Sequence, residues 1–366
     1  MKDLNARLNP GILDIKPYQP GKTVAEARAD DPSLEYIKLA SNENPFGLSP
    51  RARQAVLDSL EEAYAYPEVS CAVVRHALSR KLGIGPDHFI IGNGGDGIIY
   101  ACAMAMLAEG DEAIIPEITF PYYEIAVRAM RGRVVRSRMT GEAIDLDDIL
   151  KKLSSRTKMI WLCNPNNPTG SLTEARAFTE FFKAVPEDVF VIHDEVYADF
   201  APREAFPDTL ALIRAGADNL VLIRSFSKIY GMAGLRVGYG VGQARLVNML
   251  YRVRPPFDIS VVAQAAAAAA VADDAFYAKT LALTETEKTH LTEALTSRNL
   301  GVAPSATNFL LVDLGQDGGL VTEKLCARGV IVRPMNGYSL PNRIRVTIGT
   351  REQNDRFLAA LDEVLA

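Results

Sequence analysis

Short apolar segments that alternate with amphipathic ones constrain the fold of this chain most. Apolar runs such as TKMIWLC, VFVIHD and NLVLIRS are each typical of a buried strand, and helical segments such as TEARAFTEFFKAV lie between them. Strands that alternate with helices indicate a mainly parallel sheet with helices on both faces. The sequence therefore predicts an α/β fold with a large domain built on such a sheet.

The pattern changes after about residue 252. The segment RPPFDIS interrupts the alternation, and two long helical segments follow it (261–272 and 275–299). The shorter strands NFLLVDL, GVIVRPM and NRIRVTIGT, with a closing helix, then predict a small α+β C-terminal domain. We therefore expect an N-terminal arm that packs on the small domain (1–35), a large domain (36–254) and a small domain (255–366).

Composition and charge exclude several classes of protein. The net charge of −5 leaves no basic surface for nucleic acid, and the four cysteines and four histidines are scattered through 366 residues. We therefore expect neither a disulfide scaffold nor a metal site. The first residues contain no apolar signal segment, and the alanine-rich run at 263–272 is too short to span a bilayer. These features favour a cytoplasmic protein with no membrane partner.

Four polar clusters follow the apolar runs: GNGGD, NPNNPTG, HDEVY and SFSK. In open α/β sheets, ligands bind outside the carboxyl ends of the strands. Because each cluster follows a predicted strand, we expect all four at one edge of the sheet. The sequence thus predicts a single ligand site formed from segments far apart in the chain.

Asp194 and Lys228 suggest the chemistry of that site. A carboxylate at the end of a buried strand needs a partner, either a structural one or the ring nitrogen of a pyridine cofactor. A lysine amine with a lowered pKa can form a Schiff base with an aldehyde. Ser225, Ser227 and Arg236 offer hydroxyls and a guanidinium for a phosphate. A phosphate, a ring nitrogen and an aldehyde together describe pyridoxal 5′-phosphate.

The glycine turn GNGGD also suits a phosphate, since it leads into a helix whose first amides are free. It is neither a Walker loop nor a dinucleotide-binding G-x-G-x-x-G motif. A nucleotide is therefore not indicated.

At this point the chain resembles the fold-type I pyridoxal-phosphate-dependent aminotransferases, and within them the histidinol-phosphate aminotransferase family. The resemblance covers nearly the whole chain. Its motifs, in order, are IKPYQPGK (15–22), KLASNENPFGLSP (38–50), YPE (66–68), GNGGD (92–96), TFPYY (119–123), NPNNPTG (164–170), DEVY (194–197), SFSKIYGMAGLRVG (225–238) and IRVTIGT (344–350). One departure is the turn Gly94-Gly95-Asp96-Gly97, where the family commonly has Gly-Ser/Ala-Asp-Glu.

The resemblance implies a role for particular residues. Those expected to act in catalysis are Lys228 as the Schiff-base lysine, Asp194 at the pyridinium nitrogen, and Tyr197. The further cofactor-binding residues are Asn167, Ser225, Ser227, Arg236, Gly95, Asp96, Phe120 and Tyr66, the last of these reaching the site of a neighbouring subunit. The substrate-binding residues are Arg345, Tyr18, Asn44 and Arg333. From the sequence itself Phe120 fits a core aromatic equally well, Tyr66 a turn residue, and Arg333 a solvated charge.

The resemblance also implies a reaction. L-Glutamate would donate its amino group to the cofactor, which would pass it to imidazole-acetol phosphate in a homodimer with shared active sites. The alternatives are an aromatic amino-acid aminotransferase, a threonine-phosphate decarboxylase, and a non-catalytic scaffold that retains the fold.

Overall fold

The computed structural model describes residues 4–18 and 20–366. The α-helices of that part are α1 (Val24–Asp30), α2 (Pro50–Ser59), α3 (Ala72–Leu82), α4 (Gly94–Met106), α5 (Tyr122–Ala129), α6 (Leu146–Lys151), α7 (Ala175–Ala184), α8 (Thr209–Arg214), α9 (Ala244–Tyr251), α10 (Val261–Val271), α11 (Asp274–Thr296), α12 (Gly318–Cys326) and α13 (Arg351–Leu365). The strands are β1 (Ile37–Lys38), β2 (Phe89–Gly92), β3 (Glu112–Pro116), β4 (Arg133–Ser137), β5 (Met139–Thr140), β6 (Ala143–Ile144), β7 (Thr157–Cys163), β8 (Phe190–Asp194), β9 (Leu220–Ser225), β10 (Gly238–Val241), β11 (Gly301–Val302), β12 (Phe309–Asp313), β13 (Val330–Ile331), β14 (Arg333–Pro334) and β15 (Arg343–Thr347).

The large sheet has the strand order β2-β10-β9-β8-β7-β3-β4. Strands β4, β3, β7, β8 and β9 pair in parallel, whereas β10 runs antiparallel to both of its neighbours. The connection from β9 to β10 holds only a short 3₁₀ turn, and parallel pairing would have needed a longer crossover. This architecture confirms the predicted α/β fold.

Both faces of the large sheet are buried, as the continuous apolar strands require. Along β7, Ile160 and Leu162 face one core, and Met159, Trp161 and Cys163 face the other. This alternation is the two-residue period of a strand. The sheet is therefore covered on both sides, and ligands reach it only at its strand ends.

A second, antiparallel sheet of order β11-β12-β15-β14 forms the small domain, with α12 and α13 contributing to its core. Strand β1 pairs in parallel with β13 beside it. Leu39, just after β1, belongs to the same core.

The helix α10 packs against α2 and α3, which belong to the large domain. Its buried alanines (Ala263, Ala266, Ala267 and Ala270) lie in the same core as Ile160. Helix α11 continues toward the small domain, where Leu291 and Leu295 are buried. The three-part division of the chain, with its boundary near residue 255, stays a prediction.

Among the residues described, no single helix is long and apolar enough to cross a membrane. Helices α10 and α11 together reach the length and apolar composition of a membrane span, but the pair is bent by 77° at its junction.

The N-terminal segment contacts both domains and is partly helical. In α1, Ala27 packs with Ala40 and with Ile331 of β13. Nearer the start, Asn9 Nδ2 donates to the Ala129 carbonyl oxygen (3.0 Å) at the end of α5. The N-terminal segment thus contacts both α5 and β13.

Candidate active site

A cavity of about 360 Å³ lies where the predicted polar clusters converge. Strands β7, β8 and β9 end at Cys163, Asp194 and Ser225, and each of these residues lines it. The sequence-predicted residues that the structure brings together here are Tyr18, Gly95, Asp96, Phe120, Asn167, Asp194, Tyr197, Ser225, Ser227, Lys228, Arg236, Arg333 and Arg345. The cavity therefore joins the ends of parallel strands with residues of the small sheet.

Asp194 is a buried carboxylate with fixed orientation. The Tyr123 hydroxyl donates to its Oδ2 at 2.6 Å, and the Val196 amide donates to its Oδ1 at 3.1 Å. Burial raises the pKa of Asp194 to about 6, although both hydrogen bonds oppose that rise. The carboxylate is thus costly to keep charged without a cationic partner in the cavity.

Tyr123 is a functional candidate that the sequence reasoning missed. Its ring stacks on Trp161 with centroids 4.8 Å apart and planes at 12°. The only sequence signal was its place in the motif TFPYY, which was used for Phe120. Its contact with Asp194 joins residues 71 positions apart, which no local pattern could indicate.

Lys228 is held at the floor of the cavity by the turn after β9. Its Nζ lies 3.4 Å from the Ser41 carbonyl oxygen and 5.6 Å from the centroid of the Tyr197 ring. Burial, and next the nearby Arg345 guanidinium, lower the pKa of Lys228 to about 8. The lowered pKa increases the uncharged, nucleophilic fraction of this amine near neutral pH.

A set of hydrogen-bond donors surrounds one end of the cavity. The Gly97 amide donates to the Asn93 carbonyl oxygen (3.3 Å), so the preceding amides of Gly95 and Asp96 lie ahead of the first intrahelical donor of α4. Arg236 Nη2 lies 3.0 Å from Asp96 Oδ2. With the hydroxyls of Ser225 and Ser227, these groups suit a phosphate.

The helix start also needs glycine. Gly94 has a φ of +68°, and a Cβ there would lie 2.6 Å from Arg236 Nη2. A side chain at this position would therefore displace the Arg236 guanidinium.

Arg345 on β15 provides a buried cation at the opposite side. Its Nη1 donates to Asn167 Oδ1 at 2.5 Å and its Nη2 to the Ala40 carbonyl oxygen at 2.9 Å. Its Nε is buried and has no hydrogen-bond partner among the described residues. An anionic group in the cavity would satisfy that N–H.

Two aromatic rings cover the cavity. Tyr18 of the arm contacts Phe120 edge to face, with centroids 6.3 Å apart, and 45% of the Tyr18 residue is exposed. Arg333 on β14 lines the same opening. These positions suit a lid over a bound ligand, and the predicted roles of Tyr18, Phe120 and Arg333 stay predictions.

Two predicted residues lie elsewhere. Tyr66 is 84% exposed and stacks on Phe257 at 4.7 Å, away from the cavity of its own chain. Asn44 does not line the cavity. Its Nδ2 donates to the Ile229 carbonyl oxygen and its Oδ1 accepts from the Phe46 amide, both at 2.9 Å, so its side chain holds a turn. The residues of that segment that do line the cavity are Ala40, Ser41 and Asn42.

A buried ionic cluster lies behind Asp194. Glu195 contacts Arg224 at 2.7 Å, His193 Nδ1 at 2.9 Å, and the hydroxyl of Thr209. Burial alone would raise the pKa of Glu195, yet Arg224 and His193 hold it at about 2. His193 points away from the cavity, as the strand period requires, and acts in this structural cluster.

Known proteins resemble this chain over nearly its whole length. Residues 35–361 match the family described as aminotransferase class I and II. The chain belongs to that aminotransferase family. It is 41% identical to the histidinol-phosphate aminotransferase of Moorella thermoacetica over 355 residues, which cover 97% of this chain and 92% of that protein. It is 39% identical to histidinol-phosphate aminotransferase 2 of Pseudomonas aeruginosa over 371 residues, which cover 100% of both.

Solved structures of aminotransferases are also similar to this chain. Histidinol-phosphate aminotransferase from Sinorhizobium meliloti, crystallised in complex with pyridoxal-5′-phosphate, matches with a TM-score of 0.90 and 27% identity over 98% of each chain. Aspartate aminotransferase from Thermus thermophilus in complex with maleate matches with a TM-score of 0.83 at 21% identity, covering 98% of this chain and 99% of that one, which supports the fold alone. These findings confirm the resemblance that the motifs indicated.

Proposed function

We propose that this aminotransferase is a pyridoxal-phosphate-dependent histidinol-phosphate transaminase that moves an amino group from L-glutamate to imidazole-acetol phosphate. The observation that carries this proposal is the convergence of Lys228, with its lowered pKa, and the buried carboxylate of Asp194 in one cavity. The near-full-length identity to proteins named for that activity supports the choice of substrate.

The residues present fit the cofactor. Asp194 is a buried carboxylate that lacks a cationic partner, and a protonated ring nitrogen would supply one. The donors around the start of α4, with Ser225, Ser227 and Arg236, would hold the phosphate. Asn167 and Tyr197 would hold the phenolic oxygen. When bound, pyridoxal phosphate supplies an aldehyde that condenses with amines and a ring that withdraws electrons from the substrate carbon.

Lys228 would act first as the amine that anchors the cofactor and then as the base that moves the substrate proton. Its lowered pKa suits both tasks, since a neutral Nζ can attack a carbonyl and can accept a proton. Asp194 would keep a positive charge on the ring side of the cavity, because Tyr123 and Val196 hold its carboxylate in place.

Arg345 and Arg333 would bind the anionic end of the substrate. A planar guanidinium with an unused buried N–H suits a phosphate or a carboxylate. This preference does not separate histidinol phosphate from phenylalanine, so an aromatic aminotransferase is the second candidate. The names of the relatives favour histidinol phosphate. Threonine-phosphate decarboxylation shares the anionic group but would require a different bond to break at the substrate carbon.

The proposed enzyme is a cytoplasmic homodimer. Tyr66 supports this because a largely exposed tyrosine beside the exposed Phe257 is suited to contact a second subunit. In the dimer Tyr66 would reach the phosphate end of the partner's cavity.

The reaction can be tested with purified holoenzyme, L-glutamate and imidazole-acetol phosphate. We expect stoichiometric formation of 2-oxoglutarate and histidinol phosphate, with turnover reduced by at least about a thousandfold in Lys228→Ala. Turnover in Lys228→Ala equal to that of the unmodified enzyme would refute the mechanism. Activity with phenylalanine far above that with histidinol phosphate would refute the substrate but retain the class of reaction.

A further inference from the structure

Asn42 is a buried polar residue in an unusual backbone conformation. It is only 1% exposed, and its φ of 54° places it in the left-handed region, which asparagine tolerates better than most residues. It follows β1 at the junction between the arm and the large domain, and it lines the active-site cavity. A residue kept in this conformation inside a ligand cavity is a candidate for a specific role.

The side chain of Asn42 contacts Tyr197. Its Nδ2 donates to the Tyr197 hydroxyl oxygen at 2.8 Å. A tyrosine hydroxyl has one proton to donate, and here its oxygen is already the acceptor. The Tyr197 hydroxyl makes no other hydrogen bond to a described residue, so its proton remains available to an acceptor in the cavity. Burial raises the pKa of Tyr197, which keeps that proton in place at neutral pH.

The orientation of the Asn42 amide follows from its other contacts. The Asn42 backbone amide donates to Thr347 Oγ1 at 2.9 Å, and the Thr347 hydroxyl donates in turn to Asn42 Oδ1 at 3.3 Å. Because Oδ1 faces a hydroxyl that donates, Nδ2 must face Tyr197. The amide therefore cannot rotate without losing both bonds.

These contacts also join the two sheets. Thr347 lies on β15 of the small domain, and Asn308, next to β12, donates from Nδ2 to the Asn42 carbonyl oxygen at 3.1 Å. Tyr197 follows β8 of the large sheet. Asn42 is thus held by the small domain on one side and contacts a cofactor-facing hydroxyl of the large domain on the other.

We propose that Asn42 is a positioning residue that directs the Tyr197 hydroxyl proton into the cavity, toward the phenolic oxygen of the cofactor. This inference rests on the proposed function, since it takes pyridoxal phosphate as the ligand. Asn42 acts through Tyr197 and does not itself react. Because Asn42 is also hydrogen-bonded to Thr347 and Asn308, its hydrogen bond to Tyr197 depends on the position of the small domain.

The test replaces Asn42 by residues that keep its backbone conformation. Asn42→Asp has the same shape but puts an acceptor beside Tyr197, which would capture the hydroxyl proton. We expect about tenfold weaker binding of pyridoxal phosphate to the apoenzyme. We also expect the pH midpoint of the bound cofactor's absorption change to rise by roughly one unit, because the phenolate loses a donor. Asn42→Gly removes the amide and tolerates a positive φ, so it serves if Asn42→Asp does not fold.

A double-mutant cycle with Tyr197→Phe separates positioning from general damage. In the Tyr197→Phe background, Asn42→Asp should weaken cofactor binding by less than about threefold, since no hydroxyl remains to be redirected. Equal losses in both backgrounds, or no loss in either, would overturn the proposal. If the unmodified apoenzyme fails to bind pyridoxal phosphate at all, the proposed function fails instead, so the two failures are distinguishable.

Discussion

The hydroxyl of Tyr123 donates to Asp194 Oδ2 at 2.6 Å, and both residues are buried in the large domain. Tyr123 is itself fixed by stacking on Trp161. The carboxylate that would face the cofactor ring is therefore held by a rigid neutral donor. A neutral donor lowers the pKa of Asp194 without removing its charge from the cavity.

Removing that donor should shift the acid limit of cofactor binding. In Tyr123→Phe the stacking ring remains, but Asp194 accepts only from Val196, so its pKa rises above about 6. We expect the affinity for pyridoxal phosphate to decline at a higher pH than in the unmodified protein. Titrations of cofactor binding against pH measure this shift. The control is Tyr100→Phe, which deletes a hydroxyl that is not bonded to Asp194. A pH profile of Tyr123→Phe that coincides with that of the unmodified protein would contradict the proposed role of Tyr123.

The lowered pKa of Lys228 should govern how fast the cofactor attaches. Only the neutral amine attacks an aldehyde, so the attachment rate should rise with pH through about 8 and then level off. Stopped-flow absorbance after mixing apoenzyme with pyridoxal phosphate gives this rate. An increase that continued unchanged toward the ordinary lysine value of 10.5 would show that Lys228 is not perturbed.

Asp194 should destabilise the apoenzyme at neutral pH. Because its pKa is raised from 3.8 to about 6 on folding, the folded chain binds an extra proton between these values, and stability falls as pH rises through that window. Asp194→Asn should therefore raise the free energy of unfolding of the apoenzyme by up to about 3 kcal/mol at pH 8. Near pH 4 we expect almost no difference. Urea unfolding at both pH values tests this, and a variant less stable than the parent at pH 8 would contradict it.

Glu195 should stabilise the folded protein at neutral pH, whereas Asp194 should destabilise it. Its depressed pKa of about 2 means that its stabilising contribution is present above the unfolded value of 4.5 and is lost as pH falls toward 2. Glu195→Gln leaves Arg224 without its carboxylate and should cost about 3 kcal/mol at pH 7. Glu180→Gln, which breaks an exposed pair with Arg176, should cost less than about 1 kcal/mol. Similar losses in both variants, measured by urea unfolding, would argue against the buried cluster.

The sequence predicted the sheet and the convergence of polar strand ends because these depend on local signals, whereas most individual site residues were assigned through the resemblance to the aminotransferases. Apolar runs such as VFVIHD end at polar residues, and parallel strands bring those ends to one edge. The sequence therefore predicts that Lys228, Asp194 and Asn167 lie at one edge of the sheet. Their convergence in one cavity agrees with that expectation.

The remaining features depend on contacts between distant residues. Asn42 and Asn44 lie two positions apart in one motif, yet only Asn42 lines the cavity. Its left-handed backbone is held by Thr347, more than three hundred positions away. The alanine-rich α10 packs on the large domain because its small side chains fit against α2, which composition alone does not reveal. The antiparallel direction of β10 likewise depends on how the chain reverses after Lys228.

The most direct test of the proposed function is a single-turnover half-reaction. Holoenzyme is mixed separately with histidinol phosphate, phenylalanine and threonine phosphate, and conversion of the bound cofactor to its aminated form is followed by absorbance. On the basis of the near-full-length identity to proteins named histidinol-phosphate aminotransferase, we predict that histidinol phosphate converts the cofactor at least about tenfold faster than phenylalanine. We also predict that threonine phosphate releases no carbon dioxide. Conversion by phenylalanine at the higher rate would contradict the proposed substrate.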